Sequence, residues 1–333
     1  MSIATANQTI NWCPPVHRNV TPSTEPSSVT LSPGFAVLIT GSSRGIGLST
    51  AISYAKAGAS TIILTGRKVE SLETAREQVA AAAREAGKVQ DVNVDIVAGD
   101  ACSEEDTQKL AVHIKEKYGK LDVLILNAGK ANGLVKSPIT GLMDWPPSAP
   151  ALDIPDFRLT FETNFFAGVV ACKYLIPLLE GAGPESPKAV IWVTSSSIHH
   201  TDPKLMAMGY SLSKFAAARF VEYVSVHVQG VQAFGIQPGS VMTDMGKYEL
   251  PDGKGWEKSE SSGHGSHVLA FANGREVLID TVDLGGGLCV WLTKERREWL
   301  SGRWIDARWD VDELAKRKDA IVENDWLEFR MTG

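Results

Sequence analysis

Cysteine is scarce. The 333 residues hold four, at positions 13, 102, 172 and 289, far apart and without a CxxC pair. That spacing excludes a disulfide-stapled scaffold and a cysteine-rich zinc site, and it fits a reducing cytosol. Long apolar runs are missing too; none approaches the ~18 residues of a membrane-spanning helix. Positive charge is in deficit, with 33 Lys and Arg against 39 Asp and Glu and a net charge of -6. General binding to a nucleic-acid backbone is therefore a poor expectation. The N-terminus, MSIATANQTINWCPP, has no basic stretch followed by an apolar one, and the first Lys or Arg is Arg18. Neither a secretory leader nor an Arg-rich presequence is expected, and the expected location is cytoplasmic. His199-His200 and His264-Gly265-Ser266-His267 lack a companion set of Cys or carboxylates at ligand spacing, so no metal is expected. His199 follows a serine run and is a candidate pocket residue. There is no GxSxG elbow, which removes the common serine-hydrolase reading. No internal repeat is present.

What is present is ordinary globular texture, 44% hydrophobic and 22% charged, enough for a full core. Residues 1–33, rich in Ser, Thr, Pro and Asn, read as an irregular N-terminal extension. It is either a mobile tail or an arm that packs on a partner subunit with Trp12 as anchor. From residue 34 to 333 a single domain is expected. Short apolar runs at 35–40 and 60–65 read as buried strands, 92–99 is strand-like, and 121–126, 189–194 and 231–236 read as further strands. Helical patterns separate them, one ending at Gly58, one over 69–86 ending at Gly87, and one from Ser103 to about Tyr118. Ser103 suits the N-cap, and the acids behind it suit the positive end of the helix dipole. Alternating strands and helices imply right-handed βαβ units and a doubly wound, Rossmann-type parallel sheet flanked by helices. Residues 130–155, with five prolines, and the polar stretch 246–275 read as long loops after the fourth and sixth strands. Loops there usually handle substrate; residues 252–266 read equally well as disordered.

The first strand runs into Thr40-Gly41-Ser42-Ser43-Arg44-Gly45-Ile46-Gly47. Glycines at such a turn let the backbone approach a pyrophosphate, and the helix that follows aims free N–H groups at it. The spacing is TGxxxGxG. It is joined in order by Asn127-Ala128-Gly129, Asn164, Ser195, Tyr210-Ser211-Leu212-Ser213-Lys214 and Pro238-Gly239. With these motifs the chain resembles the short-chain dehydrogenases/reductases, strongly over 35–245 and less so from 280 to 333. Its texture, including Trp-Asp-Val-Asp-Glu-Leu at 309–314, resembles the fungal branch.

The resemblance implies about seven strands, a nicotinamide cofactor and a homodimer or homotetramer. The C-terminal end would complete the sheet and an oligomer interface, and the tryptophans at 291, 299, 304, 309 and 326 would serve core or subunit contacts. Where an NAD enzyme of the family places an acid at the end of the second strand, this chain has Gly66, followed by Arg67 and Lys68. The missing carboxylate, Arg67 and the loop residue Arg44 favour NADP(H), because guanidinium suits a 2′-phosphate. The cofactor set is Gly41, Ser43, Arg44, Gly45, Ile46, Gly47, Arg67, Asp100 and Ala101 (adenine side), Asn127, Ala128 and Gly129. Tyr210 and Lys214 join it, with Pro238, Gly239, Val241 and Thr243 along the nicotinamide.

The implied catalytic set is Asn164, Ser195, Tyr210 and Lys214. Tyr210 and Lys214 are four residues apart and share a helix face. A nearby ammonium moves a tyrosine hydroxyl from its ordinary ~10 toward working pH. Lys214 would also hold the nicotinamide ribose. Asn164 would hold a water that links Lys214 to solvent. The serine stays open: the strand end selects Ser195, counting back from Tyr210 selects Ser197, and Ser196 lies between. The reading is an NADP(H)-dependent oxidoreductase of secondary metabolism that interconverts a ketone and a secondary alcohol on a sizeable organic substrate. Alternatives are imine or C=C reduction, dehydration, or a non-catalytic NADPH-binding sensor.

Overall fold

A computed structural model of the chain describes residues 11–88, 92–132, 148–201, 207–243 and 280–331, and the backbone of two short ribbons. Much of the expected loop at 130–155 and nearly all of that at 246–275 lie outside the described residues, as do residues 1–10, His264 and His267.

The strands are β1 (Ala36–Thr40), β2 (Thr61–Gly66), β3 (Asn93–Ala98), β4 (Val123–Leu126), β5 (Ala189–Val193), β6 (Gln232–Gln237) and β7 (Trp304–Asp306). They form one sheet in the order β7-β6-β5-β4-β1-β2-β3, every pair parallel. Six coincide with the apolar runs; β7 is the seventh strand the resemblance implied. The helices are α1 (Gly45–Lys56), α2 (Val69–Glu85), α3 (Glu104–Tyr118), α4 (Ile154–Phe161), α5 (Ala167–Glu180), α6 (Met208–His227), α7 (Asp283–Thr293), α8 (Val311–Lys316) and α9 (Lys318–Glu323). The ribbons pair Val135–Lys136 with Met143–Asp144 and Glu257–Ser259 with Val268–Ala270.

Period-two alternation sends each strand's side chains to two cores. Val37, Ile39, Ile62, Leu64, Ile125, Ile191 and Phe234 meet α1, α2 and α7 on one face. Leu38, Ile63, Leu124, Val190 and Trp192 meet α3, α5 and α6 on the other. Local signals set the helix ends. Ser103 Oγ accepts the Asp106 N–H at 3.1 Å, and α3 stops at Gly119 with φ +76°. Between α4 and α5 the helix winds as a π turn, Glu162–Phe166, without breaking. The strand order reverses where β1 has β2 on one side and β4 on the other. Their carboxyl ends part there and leave the crevice in which such sheets bind ligands.

Residues 11–33 run along the chain's own C-terminal segment. Trp12 is the anchor, with ring centroids 5.1 Å from Trp309 and 5.9 Å from Trp326. Arg317 Nη1 donates to the Trp12 carbonyl at 2.8 Å, and Cys13 is fully buried. From residue 11 onward the segment is received by an aromatic cluster of its own chain, with Trp12 as its anchor. Trp291, Trp304 and Trp309 are core residues, whereas Trp326 is 41% exposed.

Candidate active site

The glycine turn between β1 and α1 has the geometry of a phosphate cradle. Gly41 and Gly45 take positive φ, +65° and +57°, which a side chain would strain. A Cβ on Gly47 would lie 2.5 Å from Gly41 O and 2.5 Å from Asn127 Nδ2, so only glycine fits. The first turn of α1 has no side-chain cap, and Arg44 at its N-cap is extended and exposed. The helix thus begins with N–H groups that an anion can take. Behind the cradle Asn127 Nδ2 donates to Thr40 O and Gly41 O, both at 3.0 Å. Thr40 Oγ1 accepts the N–H groups of Asn127 and Ala128 at 3.0 and 3.1 Å, tying β1 to β4. A Cβ on Gly41 would reach Ala128 Cα at 3.0 Å.

Beside the cradle, Thr65, Gly99, Asp100, Ala101 and Ala128 are among the residues that line a small cleft. Asp100 Oδ1 accepts the Cys102 N–H at 3.0 Å, and the Asp100 N–H donates to Asp106 Oδ2 at 2.9 Å. Ser43 lies against Gly66, so the glycine loop and the end of β2 share one rim. Arg67 is exposed beside it.

Asn164 sits in the π turn, buried, and brackets the loop after β4. Its Oδ1 accepts the Lys130 N–H at 2.8 Å, and its Nδ2 donates to Lys130 O at 2.9 Å and Ser213 Oγ at 3.0 Å. Ser213 Oγ in turn donates to Tyr210 O at 2.8 Å. Lys214 is buried, and its Nζ donates to Val193 O at 2.7 Å, at the end of β5. Burial pushes its ammonium down to about 8. Its Nζ is 5.8 Å from the Tyr210 ring centroid. Asn164, Lys214 and Gly129 converge: a Cβ on Gly129 would lie 3.2 Å from Asn164 Oδ1 and 3.3 Å from Lys214 Nζ.

Of the three serines, Ser195 stands two residues past the end of β5 in extended backbone, and its Oγ accepts the Ser197 N–H at 3.1 Å. The Ser196 N–H donates to Gln237 Oε1 at 3.0 Å, and Ser197 Oγ is buried without a partner. His199 turns away from the crevice into the aromatic core, stacked on Phe329 and edge-on to Trp304. Burial and the neighbouring His200 hold it down to about 4, against a weaker pull from Asp306. Beyond β6, Pro238 and Gly239 turn the chain, Gly239 at φ +106°. Val241 pairs with Asp280, and Thr243 packs over Gly45, its Cγ2 3.5 Å from where a Cβ would stand. The glycine loop and the 238–243 segment therefore face each other.

Sequence reasoning missed Thr40, Ser213, Lys130 and Asp280. Ser213 was visible as the residue three after Tyr210 on its helix face. Asp280 carried no signal, because it follows the last motif by some forty residues. Lys130 Nζ pairs with Asp156 Oδ1 at 2.6 Å and fastens the loop to α4.

Comparison with known proteins bears on this arrangement. Residues 36–253 match the short chain dehydrogenase family. The short chain dehydrogenase pgmD of Aspergillus terreus is 31% identical over 99% of this chain and 97% of its own length. The oxidoreductase yciK of E. coli shares the fold with a TM-score of 0.62 and 22% identity, over 86% of this chain and 98% of that one. An alcohol dehydrogenase from the archaeon Thermococcus sibiricus, solved with 5-hydroxy-NADP, gives a TM-score of 0.52 and 24% identity over 63% and 77%. A family match across most of the sheet, together with a relative aligned almost end to end, places this chain in the short-chain dehydrogenase/reductase family of oxidoreductases.

Proposed function

We propose that the chain is an NADP(H)-dependent reductase that interconverts a ketone and a secondary alcohol. The convergence of Asn164 and Lys214 on Gly129, one helical turn from Tyr210, carries the reading. The cofactor fits the residues present, since the cradle at Gly41, Gly45 and Gly47 is kept free of side chains by positive φ and close backbone. When bound, NADPH supplies the hydride.

Gly41, Ser43, Arg44, Gly45, Ile46 and Gly47 would hold the diphosphate, with Arg44 and Arg67 on the 2′-phosphate. Asp100, Ala101, Asn127, Ala128 and Gly129 would take the adenosine side and the ribose beyond it. Pro238, Gly239, Val241 and Thr243 would line the nicotinamide. The Ser195 hydroxyl donates to the substrate carbonyl oxygen and orients it. Tyr210 gives its proton to that oxygen as the alkoxide develops. Lys214 stands beside Tyr210, and its positive charge favours the tyrosinate left behind. Asn164 keeps the loop after β4 in place, so a water between its turn and Lys214 can return the proton. In the oxidative direction the same groups run in reverse. The substrate class is a sizeable organic ketone, handled by the long segments after β4 and β6.

Turnover of NADPH against a panel of cyclic and aryl ketones tests this. Tyr210→Phe should lower kcat by about 10²–10⁴-fold with cofactor affinity unchanged. A Tyr210→Phe enzyme that turns over like wild type contradicts the assignment.

A further inference from the structure

Asp280 lies beyond every motif of the site, yet it is tied to the nicotinamide-side segment. Its side chain is fully buried. Oδ2 accepts the Ser240 N–H at 2.6 Å, the Asp280 N–H donates back to Ser240 O at 3.1 Å, and Gly239 at φ +106° leaves only 3.1 Å between a would-be Cβ and Asp280 Cβ. A buried carboxylate needs a cation, and the N-terminal arm supplies it. Arg18 Nη1 reaches Asp280 Oδ1 at 2.9 Å. The arm is pinned on both sides of Arg18: the His17 N–H donates to Arg308 O at 2.7 Å, and Arg18 O accepts the Thr281 N–H at 2.8 Å. Arg308 adds positive charge toward Asp280 but is itself paired with Asp306 at 2.8 Å.

The three glycines that open α7 show how tightly the arm is built in. A Cβ on Gly285 would stand 2.8 Å from Pro238, one on Gly286 2.3 Å from Ser53 of α1, and one on Gly287 2.7 Å from Thr24 O of the arm. The nicotinamide-side turn, the helix of the glycine loop and the arm therefore meet on one strip of backbone.

We infer that the N-terminal arm is part of the cofactor site, with Arg18 as a positioning residue that holds Asp280 and, through it, the Ser240–Thr243 segment against the nicotinamide half. The inference rests on the reading of residues 238–243 given above. Arg18 touches no reacting atom; it fixes where the segment stands.

The test is carried out on the full chain, with titrations of NADPH and of adenosine 2′,5′-bisphosphate, which has the adenine and the 2′-phosphate but no nicotinamide. Arg18→Ala should weaken NADPH by about tenfold and leave the bisphosphate unchanged, and Arg18→Lys should recover most of the loss. Asp280→Asn, which keeps one acceptor and loses the charge, should show the same selective weakening and serves if Arg18→Ala does not fold. Wild-type NADPH affinity in these variants, or equal loss of both ligands, overturns the inference. A wild-type protein that binds neither ligand removes the cofactor reading itself, and the inference with it.

Discussion

On the proposed cofactor reading, Gly66 takes the position where an acid would select NAD, and its surroundings leave room for one. A Cβ there meets nothing nearer than Leu72 Cδ2 at 3.6 Å and Ser43 Oγ at 3.7 Å. Gly66→Asp should therefore fold, repel a 2′-phosphate and shift the NADPH-to-NADH affinity ratio toward NADH by at least about tenfold. An unchanged ratio in paired titrations would mean that the end of β2 does not face the ribose. His199 makes a second residue-scale case. Its pKa is lowered from 6.5 to about 4 by burial, with His200 adding to the shift and Asp306 opposing it. The unfolded chain binds the proton first, so stability is present above about 6.5 and is lost as pH falls toward 4. His199→Phe, which keeps the ring between Trp304 and Phe329, should flatten the drop in urea midpoint between pH 7 and 4.5. A slope identical to wild type would show that His199 is not the titrating group.

Among the elements, α5 is seated through a glycine. A Cβ on Gly168 would fall 2.1 Å from Trp192 Cζ2, and Trp192 is 2% exposed and stacked on Phe165. Gly168→Ala should cost about 1–3 kcal/mol by overpacking, read as a lower urea midpoint. A midpoint at or above wild type would show that α5 can slide on the sheet. Strand–helix rhythm was legible in the sequence because buried parallel strands are short apolar runs and the helix stops are glycines. The π turn that carries Asn164 was not, since one widened turn leaves helical periodicity almost unchanged. The strand β7 was not located either: its Trp-Ile-Asp run is only three residues long, and pairing with β6 decides it. The serine run offers three candidates because the sequence alone does not mark where β5 ends; it ends at Val193, whose carbonyl also accepts from Lys214.

Across the whole molecule, contacts distant in sequence decide the rest. Trp12 was visible as an anchor, but its seat on Trp309 and Trp326 joins opposite ends of the chain, which no local pattern encodes. The glycine loop, the Asn127 bracket, the Lys214–Asn164 convergence and the 238–243 turn were each readable as motifs. Their meeting at the crevice follows from the sheet order, and the short-chain dehydrogenase/reductase family match agrees with it. Among the described residues no helix is long and apolar enough to cross a membrane. On the proposed reading, this crevice binds NADP(H) through a 2′-phosphate contact at Arg67. Fluorescence titration of wild type and Arg67→Ala with NADPH and NADH tests it most directly. Wild type should bind NADPH more tightly than NADH, and the variant should lose about tenfold in affinity for NADPH alone. Equal binding of the two cofactors in wild type, or an NADPH affinity untouched by Arg67→Ala, would contradict it.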